Sequence, residues 1–119
     1  MRHQTSDKTL SRREKLRYNG RTTSFPPRES FGLTAQMRRA ANSIGANIAE
    51  GCAREGGRDR ARFFETSNAS AHELEHHLIL AAYIGLIDDA SAERLIAELE
   101  EIRKMIVALR LRSLSESAI

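Results

Sequence analysis

The chain has 119 residues, 40% of them apolar and only two of them proline, enough for one domain with a modest core and too few for two. Nineteen Lys and Arg against sixteen Asp and Glu leave a formal charge of +3, and no apolar run approaches the roughly 18 residues of a membrane span, which excludes a transmembrane helix. A lone Cys52 excludes an internal disulfide and a cysteine-based zinc framework, and the polar N-terminus offers nothing for a signal peptidase to cleave, so a cytoplasmic location is expected.

With no Trp, 5% aromatics and abundant Ala, Leu, Arg and Glu, the composition favours an all-α fold. Charge is uneven along the chain. Residues 1–28 carry eight Lys/Arg and two Asp/Glu, residues 29–62 six and four, and residues 63–119 five and ten. A basic front and an acidic back can attract each other between chains, or the front can collect phosphates while the back stays solvated. A mixed charged surface that only keeps a small protein in solution is the plainer alternative.

Residues 1–24 read as a basic arm or a short polar helix, because Leu10, Leu16 and Tyr18 share no helical stripe and Asn19-Gly20 is a breaker. Phe25-Pro26-Pro27 then forces extended backbone, so a new element begins beyond it. From Arg28 to Glu50, the residues Met37, Ala41, Ile44 and Ile48 recur on one helical face, with Gly51 as a C-cap candidate and Gly45 as a bend or a close helix contact. Beside them run Gln36, Ala40, Ser43, Asn47 and Glu50. This small and polar stripe is suited to hydrogen bonding with a neighbouring helix or another subunit, and is otherwise a solvated flank.

Residues 51–58 form a glycine-bearing connection, after which Asp59 can cap a helix running to about Ile84 and ended by Gly85. Its core stripe is Phe64, Ser67, Ala71, Leu74, Leu78 and Ala81 or Ala82. The opposite face carries His72, His76, Ile79 and Tyr83, so one side of this helix is a candidate interface with another copy. Asp88 to Ser91 supply cap chemistry for a last helix over 92–112, with a seam of Leu95, Leu99, Ile102, Ile106 and Leu109; the tail 113–119 is expected to fray. The bundle domain thus covers residues 25–112.

One catalytic pattern occurs. His72-Glu73-Leu74-Glu75-His76 fits H-E-x-x-H, two imidazoles one turn apart with a glutamate base, as in zinc hydrolases. Both histidines point away from Leu74 and Leu78, and although Glu93, Glu98 or Glu100 could be nominated as a third ligand, nothing singles one out. No metal or other cofactor is expected, and His77 reads as a surface or interface histidine. The chain holds no G-x-S-x-G, no phosphate-binding P-loop and no dinucleotide fingerprint. Cys52 would sit at a helix C-terminus, where the dipole disfavours a thiolate. No enzyme activity and no small-molecule substrate are therefore expected.

Binding signals are better developed. Arg38, Arg39, Arg54, Arg58, Arg60 and Arg62 offer guanidinium forks suited to phosphate oxygens, without an accompanying aromatic stacking motif. The competing reading pairs these arginines with Glu73, Glu75 and the acidic last helix.

The strings Phe25-Pro-Pro-Arg-Glu-Ser-Phe-Gly-Leu-Thr34 and Gln36-Met-Arg-Arg-Ala-Ala-Asn-Ser-Ile-Gly-Ala-Asn-Ile-Ala-Glu-Gly51 are specific. Together with Arg54, Phe64, Ala71, Glu73, Leu74, Glu75, Leu78 and Ala81, they closely resemble the four-helix bundle proteins encoded in intervening sequences of bacterial large-subunit ribosomal RNA genes, over about residues 24–110. The accessory variability proteins of diversity-generating retroelements are related to that family. The resemblance implies an up-and-down antiparallel four-helix bundle, a ring-like homopentamer, and a basic surface that contacts RNA or a reverse transcriptase. The alternative is an assembly scaffold for a protein partner without nucleic-acid contact. Under either reading the Gln36, Ser43, Asn47, Glu50 stripe and the His72, His76, Ile79, Tyr83 face set helix or subunit register. Residues 1–24 depart from the family's amphipathic first helix, and neither His72, His76 nor Asn68 is characteristic of it.

Overall fold

Proline fixes φ near its helical value and has no N–H to lose in a first turn. The first helix accordingly opens on Pro27 itself, the last residue of the stretch that the prolines were expected to hold extended. The computed structural model describes residues 27–117, with side chains from residue 31 onward; the expected arm at 1–24 lies outside the described residues. Within them are three α-helices and no strand: α1 (Pro27–Cys52), α2 (Gly57–Tyr83) and α3 (Asp89–Ser117). The all-helical expectation holds.

Helix α2 lies between the other two, packing on α1 along one side and on α3 along the other, while α1 and α3 share almost no direct contact. Short connections make successive helices antiparallel. The core holds the expected Ile44 of α1, Phe64, Ala71 and Leu78 of α2, and Leu99 and Ile106 of α3, together with Ile96, which the expected seam did not include. Two serines of the stripes join it. Ser67 is fully buried and its hydroxyl donates to the Ile44 carbonyl at 2.8 Å, while the Ser43 and Ser70 hydroxyls lie 2.7 Å apart. Asn47 Nδ2 donates back to the Ser43 carbonyl at 2.8 Å. Of the small stripe of α1, Ser43 reaches α2 through Ser70, while Asn47 bonds within its own helix.

Helix ends follow local chemistry at one connection and tertiary contact at the other. After Tyr83, Gly85 adopts φ 80°, Leu86 N–H donates to the Ala81 carbonyl and Gly85 N–H to the Ala82 carbonyl, the paired bonds of a Schellman ending. Asp88 then caps α3, its Oδ1 accepting from Ser91 N–H at 2.7 Å, so the helix starts three residues earlier than the periodicity suggested.

At the opposite end the expectations need correction. Gly51 is not a cap, because α1 continues to Cys52; a Cβ on Gly51 would come within 2.6 Å of the Phe64 ring, so glycine is there for close approach. The cap of α2 is Gly56, and Asp59 sits in its first turn. Gly45 meets nothing within 4 Å. The tail does not fray over 113–117: α3 runs to Ser117, and Ser113 is buried.

Two of the five residues of the expected α3 seam face elsewhere. Leu95 and Ile102 are both 39% exposed, and with Leu99, Met37, Ala41, Leu74 and Leu78 they line an open apolar groove of about 370 Å³ bordered by α1, α2 and α3. Exposed Met105 lies farther along α3.

Candidate nucleic-acid interface

The connection between α1 and α2 and the first turns of α2 together carry four of the six arginines, and the connection is tightly built. Ala53 N–H donates to the carbonyls of Ala49 and Glu50, and Arg54 N–H to that of Gly51 at 3.1 Å, so the chain leaves α1 in a fixed turn. Arg60 closes that turn from the other side: Nη1 donates to the Glu55 carbonyl at 2.7 Å and to the Arg54 carbonyl at 3.4 Å. Its remaining nitrogens reach α3, Nε toward Ser113 Oγ at 3.4 Å and Nη2 to the Glu116 carboxylate. This side chain is only 19% exposed. Arg60 is a structural clamp.

The other arginines of this end face water. Arg54 pairs with Glu50 at 3.6 Å and Arg62 with Asp59 at 2.6 Å, both through exposed side chains. Such exposed pairs contribute about 0–1 kcal/mol each. Arg58, exposed at the start of α2, makes no ion pair with the described residues. Between Arg54 and Arg62 lies Phe63: the guanidinium carbon of Arg54 stands 4.8 Å from the ring centroid and that of Arg62 5.8 Å. An aromatic ring that the sequence reading did not single out therefore lies among these arginines. The signal was available, because Phe63 and Phe64 are 100° apart on a helix and only one of them can enter the core. Phe64 does, at 2% exposure.

Arg38 and Arg39 belong to a different place. They lie on α1 some fifteen residues before Arg54, roughly 22 Å along a helix, so the six arginines form two groups rather than one patch. Arg38 borders the apolar groove, whereas Arg39 borders a polar hollow with Ala40, Asn42, Ser43, Ala46, Ser70 and Glu73.

The two register stripes are also separated. Ser43 faces Ser70 on the α1 side of α2, while His72 lies on the α3 side, its Nε2 2.8 Å from Arg103 Nη2. Arg103 also donates to Glu75 Oε1 at 3.1 Å, in a pair whose side chains are 24% and 12% exposed. Glu75 thus pairs with an arginine of α3. Gln36, Glu50 and His76 are exposed, and Ile79 and Tyr83 are half-buried.

His77 departs from expectation: it is buried at 9% exposure, with Nε2 3.4 Å from Glu73 and no hydrogen bond among the described residues. Around the H-E-x-x-H pattern no third ligand converges. Among the described residues, no group of three or more His, Cys, Asp or Glu could hold a metal ion, and no helix is long and apolar enough to cross a membrane.

A family model described as 23S rRNA-intervening sequence protein matches residues 11–108. No curated protein and no solved structure was found to match the chain.

Proposed function

The chain belongs to the 23S rRNA-intervening sequence protein family, and from that premise we propose that it is a non-enzymatic, cytoplasmic, oligomeric helical bundle that binds RNA, or a nucleic-acid enzyme such as a reverse transcriptase, through arginines. The retroelement accessory proteins are the relatives that suggest the second of these partners. The observation that carries the reading is the arginine cluster at the α1–α2 turn, where Arg54, Arg58 and Arg62 present guanidiniums to water from a backbone already fixed by Arg60. Pre-organised forks lose little freedom on meeting phosphate. The eight Lys/Arg of residues 1–28 add basic charge to the same chain.

The groove bordered by Leu95 and Ile102 supports the rest of the architecture. An up-and-down four-helix bundle has a further helix over such a groove, which supports that architecture here, as does the family match over residues 11–108. Of the α2 face assigned to subunit contact in a ring-like homopentamer, His76 is exposed, while His72 meets Arg103 of α3 and Ile79 packs on the core.

A second reading, a scaffold for a protein partner without nucleic-acid contact, draws on the carboxylates at the same turn, since Glu50, Asp59 and Glu116 each neutralise an arginine. Charge reversal separates the two. Under RNA binding, Arg58→Glu lowers affinity for a structured RNA measured by filter binding at about 50 mM salt while leaving the melting temperature alone, and affinity falls steeply as salt rises. Arg60→Glu lowers stability in either case. An unaltered protein that holds no RNA at low salt leaves only the scaffold.

A further inference from the structure

Phe63 is the one aromatic ring near the arginines that the core does not use, and its position gives the RNA reading a specific ligand. Charge alone, spread over Arg54, Arg58 and Arg62, would attract any phosphodiester backbone, paired or unpaired. A guanidinium packed flat on an aromatic ring does something further. It is supported from beneath by the ring, it keeps its outer planar face free, and that face can stack on a nucleobase. Arg54 is placed to adopt this arrangement: its guanidinium carbon stands over the Phe63 ring, 4.8 Å from the centroid, its side chain is 42% exposed, and it is carried on a turn whose N–H and carbonyl are both hydrogen-bonded. Arg62, at 5.8 Å and 68% exposed, flanks the same ring from within α2. Bases inside a duplex have both faces covered by their neighbours, so a stacking platform selects nucleotides that are unpaired.

Resting on the RNA reading above, we infer that Phe63, Arg54 and Arg62 form a stacking site for an unpaired base of single-stranded RNA, with Arg58 contacting the adjoining phosphate. The carboxylates of Glu50 and Asp59 hold the two guanidiniums near the ring in the free protein, and a phosphate replaces them as partner when RNA binds. Arg60 takes no part, being committed to Glu55, Ser113 and Glu116.

The test compares the full-length protein with its Phe63→Leu and Arg54→Lys variants. Fluorescence anisotropy reads binding to a labelled RNA of about a dozen nucleotides without self-complementarity, alone and annealed to its complement. Leucine keeps the apolar bulk but has no π face, and lysine keeps the charge but has no plane. Each substitution is expected to weaken single-strand binding roughly ten-fold or more while changing duplex binding by less than about two-fold. Equal losses on both forms, or no loss on the single strand, overturn the stacking site and leave the RNA reading intact. If the unaltered protein binds neither form, the RNA reading itself fails. Should Phe63→Leu fold poorly by circular dichroism, Arg54→Lys, an exposed change in a turn, decides the matter alone.

Discussion

A methyl group added at Gly57 would lie 2.2 Å from the Ser113 carbonyl oxygen, which belongs to the backbone of another helix and cannot swing aside. Gly57→Ala must therefore move the start of α2 off the end of α3, and is expected to cost about 2–3 kcal/mol in urea unfolding. Gly45 is the opposite case. It is exposed in the interior of α1 with nothing within 4 Å, so Gly45→Ala gains helix propensity and is expected to stabilise by about 0.5–1 kcal/mol. Equal effects at the two sites would contradict the packing described at Gly57. The sequence placed Gly57 in a connection and read Gly45 as a bend or a close helix contact, because what distinguishes the two sites is a helix arriving from far along the chain. Gly51 was misread for the same reason: following a periodic run, it carries a cap signal, but the Phe64 ring of α2 lies where its Cβ would be. His77 shows a related limit. Its neighbours His72 and His76 are exposed as the wheel predicted, yet a turn of 100° between adjacent residues puts His77 among the buried positions.

Elements were most legible where their ends are chemically local. Pro27, Gly85 and Asp88 each impose a backbone state or offer a cap without help from elsewhere, and all three boundaries lie at or within a residue of them. The end of α3 was not legible, because nothing between Ser113 and Ser117 is a strong helix signal. Its helicity is sustained by contact: Ser113 is 5% exposed against Gly57, and Arg60 holds Ser113 and Glu116. A chain ending after Arg112 consequently loses more than a tail. It leaves Arg60 without two of its partners and uncovers the first turn of α2. We expect a fall in the melting temperature of roughly 5–10 °C by circular dichroism, on the order of 1–2 kcal/mol for a domain of this size. An unchanged melting temperature would mean that residues 113–117 add nothing to the α2 terminus. The same dependence explains why the candidate interface was only half visible in the sequence. The six arginines could be counted, but Arg60 became a clamp and Phe63 a support only once the end of α3 and the α1–α2 turn had been placed beside them.

At the scale of the whole molecule, the three helices of the described residues, with α2 in the middle, leave one apolar flank of α3 unaccounted for. Leu95 and Ile102 fall on the heptad seam of a bundle, yet both are 39% exposed, while Leu99 and Ile106 of the same seam are buried at 4% and 1%. A seam that is partly buried and partly bare is what a bundle shows when one layer of its cover is missing. The alternative is that these side chains stay in water, as scattered surface leucines do on any protein, with no energetic consequence. The two cases differ in what a charge at the groove costs. If the groove stays open, Ile102→Asp lies at a half-exposed site and changes stability by no more than about 0.5 kcal/mol. If it is covered in the full-length protein, the aspartate must either be desolvated or force the cover away, at about 2 kcal/mol or more. Bundle completion requires the second outcome. Light scattering on the same variant then locates the cover: an unchanged mass with lowered stability places it within the chain, and a fall in mass at micromolar concentration places it in a neighbouring copy. A variant that matches the unaltered protein in both mass and melting temperature leaves the groove bare, and with it the fourth helix and the ring lose their structural support.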